Sequence, residues 1–145
     1  MTISIRPAMA ADARALQGLI DEVYGNATWL AASANRSLDF TQVTKGERIT
    51  VAENRAGRIV GVVSVYEVDA FIHHLYVAAS THRQGIGGAL LESLKPWLAC
   101  PWRLKCVCAN TQALAFYAAH GWVVEEESEG EEGPYFQLVR HADDR

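Results

Sequence analysis

Leu75-Tyr76-Val77 runs through a short link into His82-Arg83-Gln84-Gly85-Ile86-Gly87-Gly88-Ala89-Leu90-Leu91. An apolar strand ends, a loop turns, and glycines open an amphipathic helix. Such a junction aims several backbone N–H groups and the positive end of a helix at one point in space. A phosphate or diphosphate is the natural occupant of that point.

Two common phosphate loops do not fit. A Walker loop needs Lys-Ser/Thr after its glycines, and none follows here. A dinucleotide loop needs Gly-x-Gly-x-x-Gly beside the first strand. Gly85-Ile86-Gly87-Gly88-Ala89-Leu90 lacks the third glycine and sits mid-chain. The bland alternative is an ordinary glycine-rich strand-to-helix turn.

Working outward, 145 residues suit one domain, residues 1–145, with a proper core. Half the residues are hydrophobic, which excludes a disordered chain. No apolar run approaches the roughly 20 residues of a membrane span, and Met1-Thr2-Ile3-Ser4-Ile5-Arg6 alternates like a strand rather than a signal peptide. A net charge of −4 with scattered Lys and Arg argues against nucleic acid as a partner. Three cysteines without Cys-x-x-Cys fit a reduced, cytoplasmic setting.

Residues 2–6 read as a strand and Asp12 to Tyr24 as a helix, with Leu16, Leu19, Ile20 and Val23 on one face. Trp29, Leu30, Leu38 and Phe40 suggest a second short helix and a loop. Strands follow at 49–53, 59–68 and 71–77. A helix then begins near Gly85 and closes near Pro96. Leu104 to Ala109 reads as a buried strand, with Cys106 and Cys108 on one side of it. The next helix, capped by Asn110 or Thr111, stops at Gly121. A hairpin of 122–124 and 135–139 ends the pattern. The order is β-α-α-β-β-β-α-β-α-β-β. It gives an α/β (mixed α+β) fold, a mixed sheet flanked by helices on both faces.

A second stretch, Asn110-Thr111-Gln112-Ala113-Leu114-Ala115-Phe116-Tyr117-Ala118-Ala119-His120-Gly121-Trp122, has the form Asn-x-x-Ala-x-x-Phe-Tyr-x-x-x-Gly-Phe/Trp. Together with the glycine loop it resembles the GNAT family of N-acetyltransferases, and the element order matches over nearly the whole chain. In the family's Gln/Arg-x-x-Gly-x-Gly/Ala motif, His82 takes the first position, Arg83 and Gln84 the free ones, and Gly85 and Gly87 the glycines. His82 departs from the usual Gln or Arg, which predicts weaker or altered cofactor affinity. The resemblance implies the acyl-CoA N-acyltransferase fold, with a mostly antiparallel twisted sheet. It also implies acetyl-CoA as cosubstrate. Its diphosphate would lie on residues 82–88, including Ile86 and Gly88. Its pantetheine arm would enter between the fourth and fifth strands, beside Leu75, Tyr76, Val77 and Asn110.

By the same resemblance, the Tyr117 phenol lies near the cofactor sulfur and hydrogen-bonds or protonates the departing thiolate; the plain alternative is a buried structural tyrosine. Backbone N–H groups near Leu75 to Val77 would bind the thioester carbonyl. The amine must lose its proton before attack, since a free alkylamine has a pKa of roughly 10. Family members often use a strand carboxylate for this. Here the fourth strand reads Phe71-Ile72-His73-His74-Leu75-Tyr76-Val77 and holds no acid. His73 or His74 is then the base, with His74 favoured and Glu67 and Asp69 as alternatives. Strand alternation predicts that only one histidine faces the acceptor. The same alternation disfavours a zinc site from His73, His74, Cys106 and Cys108, so no metal is expected.

Tyr24, Trp29, Phe40, Tyr66 and Tyr135 are candidates to line an acceptor pocket, rimmed by the acidic stretch Glu125 to Glu132. A small-molecule or peptide amine would suit it. The expected reaction is direct attack in a ternary complex; the alternative is a non-catalytic acyl-CoA binding or sensing domain. A homodimer could form through apolar edge positions on the last hairpin.

Overall fold

The computed structural model describes residues 3–25, 39–81 and 84–142. Its elements are β1 (Ile3–Pro7), α1 (Ala13–Gly25), α2 (Phe40–Val43), β2 (Arg48–Asn54), β3 (Ile59–Tyr66), β4 (Phe71–Val77), α3 (Ile86–Glu92), β5 (Trp102–Val107), α4 (Thr111–Ala119), β6 (Val123–Gly130) and β7 (Gly133–Arg140). The order agrees with the one expected from sequence. Trp29, Leu30 and Leu38 lie outside the described residues.

The seven strands form one sheet in the order β1-β2-β3-β4-β5-β7-β6. Every neighbouring pair is antiparallel except β4 and β5. The fold is therefore the mixed, mostly antiparallel α/β architecture that the sequence predicts. β3 is the spine of the core, because Ile59 to Val65 are all buried and both its faces must be covered. α3 covers the face to which Gly61 points. A Cβ at Gly61 would stand 3.0 Å from Ile86 Cγ2 and 3.1 Å from Leu90 Cδ1. α1 buries Leu16, Leu19 and Ile20 of the expected stripe, with Val23 half-buried, and packs against β3 and β4.

Several boundaries differ from the expectation; β5 runs over Trp102–Val107 rather than 104–109, and β6 continues to Gly130 rather than stopping at 124. The third strand stops at Tyr66, and Glu67 to Asp69 form a single 3₁₀ turn ending at Ala70, whose φ is 50°. The β-branched pattern ends at Val65, and the polar turn residues cannot prolong the ladder. After Glu92 the helix tightens: Leu94, Lys95 and Trp97 donate to carbonyls three residues back, at 3.1, 3.2 and 3.1 Å. This tightening begins before Pro96, which has no N–H to give. α2 has one turn and is fixed at its N-terminal end. The Asp39 side chain caps it by accepting from Gln42 N at 3.2 Å, and Phe40 N donates to Gln17 Oε1 of α1 at 2.9 Å.

Candidate active site

The fold opens beside β4. The registered pairing of β4 with β5 is confined to Phe71 and Arg103, backed by one bond from Arg103 N to Ala70 O at 3.1 Å. Beyond it no further β4–β5 pair is registered among the described residues, so the parallel strands part toward Leu75 and open a gap. A gap of this kind admits an extended chain able to bond to strand backbone. A Thr81 hydroxyl bonded to Ala78 O at 2.8 Å turns the chain away from β4.

Gly85 then adopts φ 77°, the left-handed region that a side chain resists, and stands at the N-terminus of α3. The first full-turn bond of α3 runs from Ala89 N to Gly85 O at 3.0 Å. The N–H groups of Ile86, Gly87 and Gly88 precede that ladder and face out of the helix end. The next two glycines have a packing task as well. A Cβ at Gly87 would come within 3.0 Å of Phe116 Cζ, and one at Gly88 within 3.0 Å of His120 Nε2. Glycine there lets α4 lie directly against α3. Gln84 is exposed and Ile86 is core; His82 and Arg83 lie outside the described residues.

The gap and the turn thus fit a cofactor with an extended amide arm and a diphosphate. Asn110 stands at the end of β5 and caps α4, its side-chain oxygen accepting from Ala113 N at 3.2 Å. Its amide N–H₂ is not used in that cap. Tyr117 is buried and edge-on to Phe116 and Trp122, with centroids at 5.3 and 5.7 Å. Burial first, and the neighbouring Cys106 thiol second, push its phenol well above the usual range, so it stays protonated.

The histidines depart from the expectation. His73 and His74 do not point apart; their rings lie 4.0 Å centroid to centroid, tilted by 36°. The cause is a β-bulge. Ser64 of β3 pairs with His74 and the next residue, Val65, pairs with Ile72, so His73 is an extra residue in β4. A bulge breaks the two-residue alternation and re-aims a side chain. His73 remains exposed and its Nδ1 lies 2.6 Å from Glu47 Oε2. His74 is buried, 3.3 Å from the Tyr76 hydroxyl through Nδ1 and 5.4 Å from the Phe40 ring. Burial, then the proximity of His73, lowers its pKa to about 3.

Around them stand residues that sequence reasoning missed. Glu47 precedes β2, and its side chain is only 8% exposed. Nothing local in Thr44-Lys45-Gly46-Glu47 marks it, because its partner is 26 residues away. Tyr76 was expected only through its backbone, yet its hydroxyl lies 3.3 Å from that of Tyr24. Burial raises both phenols, and Glu132 of the last turn raises them further. Glu132 is itself half-buried and raised by that burial, whereas its neighbour Glu131 lies exposed on the surface. Of the remaining aromatics, Phe40 is core, Tyr66 is exposed, and Tyr135 faces Lys105 at 5.2 Å. Glu67 and Asp69 are exposed, and Glu67 lies 3.9 Å from Arg48. Cys106 is buried in β5 and Cys108 follows its end; neither lies in the Glu47, His73, His74 cluster.

Comparison with known proteins is consistent with this geometry. Residues 45–124 match the model of the acetyltransferase (GNAT) domain. The apo form of YjaB from Escherichia coli superposes with a TM-score of 0.78 at 22% identity, covering 96% of this chain and 97% of that one. The ribosomal-protein-S18-alanine N-acetyltransferase from Escherichia coli gives 0.75 at 17%, covering 97% and 94%. The yncA protein from Salmonella typhimurium, solved with its cofactor acetyl-CoA, gives 0.74 at 16%, covering 100% and 96%. At these identities the likeness to solved structures shows the fold. No curated protein matches the chain in sequence.

Proposed function

Because the chain belongs to the GNAT family of acetyltransferases, with acetyl-CoA as acetyl donor, we propose that it acetylates a primary amine of a small molecule or peptide by direct attack in a ternary complex. The observation that carries this reading is the 2.6 Å bond between His73 and the sheltered Glu47, on the strand that borders the open gap.

Bound acetyl-CoA supplies a thioester carbon to be attacked and a thiolate to leave. The chain's own groups do the rest. The N–H groups of residues 84–88, with His82 and Arg83 by family resemblance, hold the diphosphate. The β4 backbone at Leu75 to Val77 holds the pantetheine arm and donates to the thioester oxygen as it becomes negative. The Asn110 amide holds the arm from the β5 side. Tyr117 donates its hydroxyl hydrogen toward the departing sulfur.

His73 takes the proton from the amine. A carboxylate accepting from Nδ1 fixes the tautomer and leaves the Nε2 lone pair open. The Glu47 carboxylate then stabilises the imidazolium that forms. His74 is buried, has no carboxylate partner among the described residues and turns its Nδ1 to Tyr76, so it positions the pocket wall rather than serving as base. Tyr24, Tyr76 and the half-buried Glu132 give the acceptor side phenols and a carboxylate, which favours a cationic amine. The peptide half of the substrate class rests on likeness to an enzyme named for the alanine of ribosomal protein S18. The reading treats residues 1–145 as one catalytic domain. The three unpaired cysteines support a reducing, cytoplasmic setting.

The test is thiol release from acetyl-CoA over a panel of polyamines, amino acids, aminoglycosides and peptide N-termini. With an accepted amine, His73→Ala is expected to lower kcat by about 10²- to 10⁴-fold, and imidazole in solution to restore part of the loss. Unchanged turnover in that variant would remove His73 from the reaction.

A further inference from the structure

We propose that Glu47, His73 and His74 form a binding site for a divalent transition-metal ion of the zinc class, and that the bound ion inhibits acetyl transfer. The inhibition rests on the role of His73 given above; the site does not.

The three residues each offer one ligand atom, and these atoms lie within 4.8 Å of one another. Zinc at bond lengths near 2.1 Å needs ligand atoms roughly 3.4 Å apart, so adjustments of about an ångström suffice. His73, the most exposed of the three, has room to make them. The bulge in β4 is what makes the set possible. Without it, adjacent strand residues would present their imidazoles to opposite faces.

A second observation points to a ligand. Glu47 Oε1 and His74 Nε2 are both shut off from solvent, and neither has a hydrogen-bond partner among the described residues. His74 is only 7% exposed and the Glu47 side chain 8%. Leaving buried polar atoms unpaired is costly, and each such atom calls for an explanation. A water could bond to both, but it would leave the carboxylate charge uncompensated in a sheltered place. A cation answers both needs.

The surroundings suit a metal ligand. In the tautomer whose Nδ1–H donates to the Tyr76 hydroxyl, Nε2 keeps its lone pair, and the Nδ1 bond is the outer bond that metal-binding histidines make. Two imidazoles and one carboxylate favour zinc or its first-row neighbours over magnesium and calcium, which prefer oxygen. Three protein ligands also leave an open coordination position. Metal binding takes the imidazole lone pair of His73, and the amine's proton then has no acceptor.

The test is calorimetric titration of the reduced protein with ZnCl₂ in the absence of acetyl-CoA and amine. Expected are one site per chain and at least a tenfold weaker affinity in Glu47→Gln and in His74→Ala. No change is expected in Cys108→Ser, and no binding of MgCl₂. Truncating the buried His74 can cost the fold, so wild-type crystals soaked in ZnCl₂ supply a second measurement. An anomalous peak at the zinc edge should appear between His74 Nε2 and the Glu47 carboxylate. Absence of binding, unaltered affinity in Glu47→Gln, or a peak only at cysteines or surface acids overturns the site. In the acetylation assay zinc should inhibit and EDTA should restore activity. Zinc bound here without inhibition overturns the inhibition and the base role of His73 together, while the site stands. If the wild-type protein binds no zinc while His73→Ala loses turnover, the site is overturned and the base role stands.

Discussion

At Tyr117 burial keeps the phenol protonated, and a phenol raised well above 10 is a weak acid. A thiol sits near 8.5, so complete proton transfer to the departing sulfur runs uphill. The hydroxyl is better suited to a hydrogen bond with the thiolate. Such charge-assisted bonds contribute about 1.5–3 kcal/mol, which corresponds to roughly tenfold to a hundredfold in rate. Tyr117→Phe is therefore expected to lower kcat by that factor, with the melting temperature and acetyl-CoA affinity held. A melting temperature that falls with the rate would make Tyr117 structural only. Glu47 acts one bond further out, through His73. Glu47→Gln should lower kcat while the amine KM stays put, and Glu47→Asp should recover part of the loss. A rise in KM at constant kcat would make Glu47 a substrate-binding residue. Tyr117 could be singled out from sequence because it sits inside a motif. Glu47 could not, because it meets His73 only through the pairing of separate strands.

At the scale of elements, the strand-to-helix turn holds two glycine positions whose constraints differ. Gly85 has open space where a Cβ would stand but a left-handed φ of 77°. Gly85→Ala should cost about 1 kcal/mol of backbone strain, read from urea denaturation. Gly87 has an ordinary backbone, but a Cβ there would meet the Phe116 ring at 3.0 Å. Gly87→Ala must push α4 away from α3, and overpacking of this kind costs about 1–3 kcal/mol. It should therefore be the more harmful of the two, and the opposite ranking would contradict the packing described. Element order and type were legible because each has a local cause: the β-branched run of β3, the apolar stripe of α1, the Asn110 cap. The bulge in β4 was not legible. It arises from a one-residue mismatch between β3 and β4, and alternation read along β4 alone assigns His73 and His74 to opposite faces. The same mismatch brings both imidazoles to Glu47, so the error at the element scale became an error about the site.

At the scale of the whole molecule, two carboxylates bind separate parts of the sheet and respond to acid. Asp12, in the turn before α1, accepts from Arg6 of β1 at 2.9 and 3.1 Å and from Met9 N at 2.7 Å; Arg6 also bonds Glu53 of β2 at 3.2 Å. The Arg6 guanidinium, then the Met9 amide, hold the Asp12 carboxyl below its ordinary range. Across the sheet, Glu125 of β6 accepts from Arg103 of β5 at 2.9 Å and from Gln137 of β7 at 2.9 Å, and its pKa falls to about 2. A carboxylate with a depressed folded pKa binds fewer protons folded than unfolded. Its stabilisation is complete above the unfolded value and lost as pH falls through the folded one. For Glu125 that window runs from the ordinary 4.5 down to about 2. Asp12 is the more sheltered, its side chain 10% exposed, whereas the Glu125 pair lies at the surface, where screening leaves little. Asp12→Asn should thus lower stability at pH 7 by on the order of 1 kcal/mol, and Glu125→Gln by less. The decisive feature is the pH course. The difference between wild type and Asp12→Asn in urea midpoint should be constant near neutrality and shrink as pH falls below about 4. A difference that stays constant down to pH 2 would mean that the Asp12 charge contributes nothing to holding β1 against the start of α1.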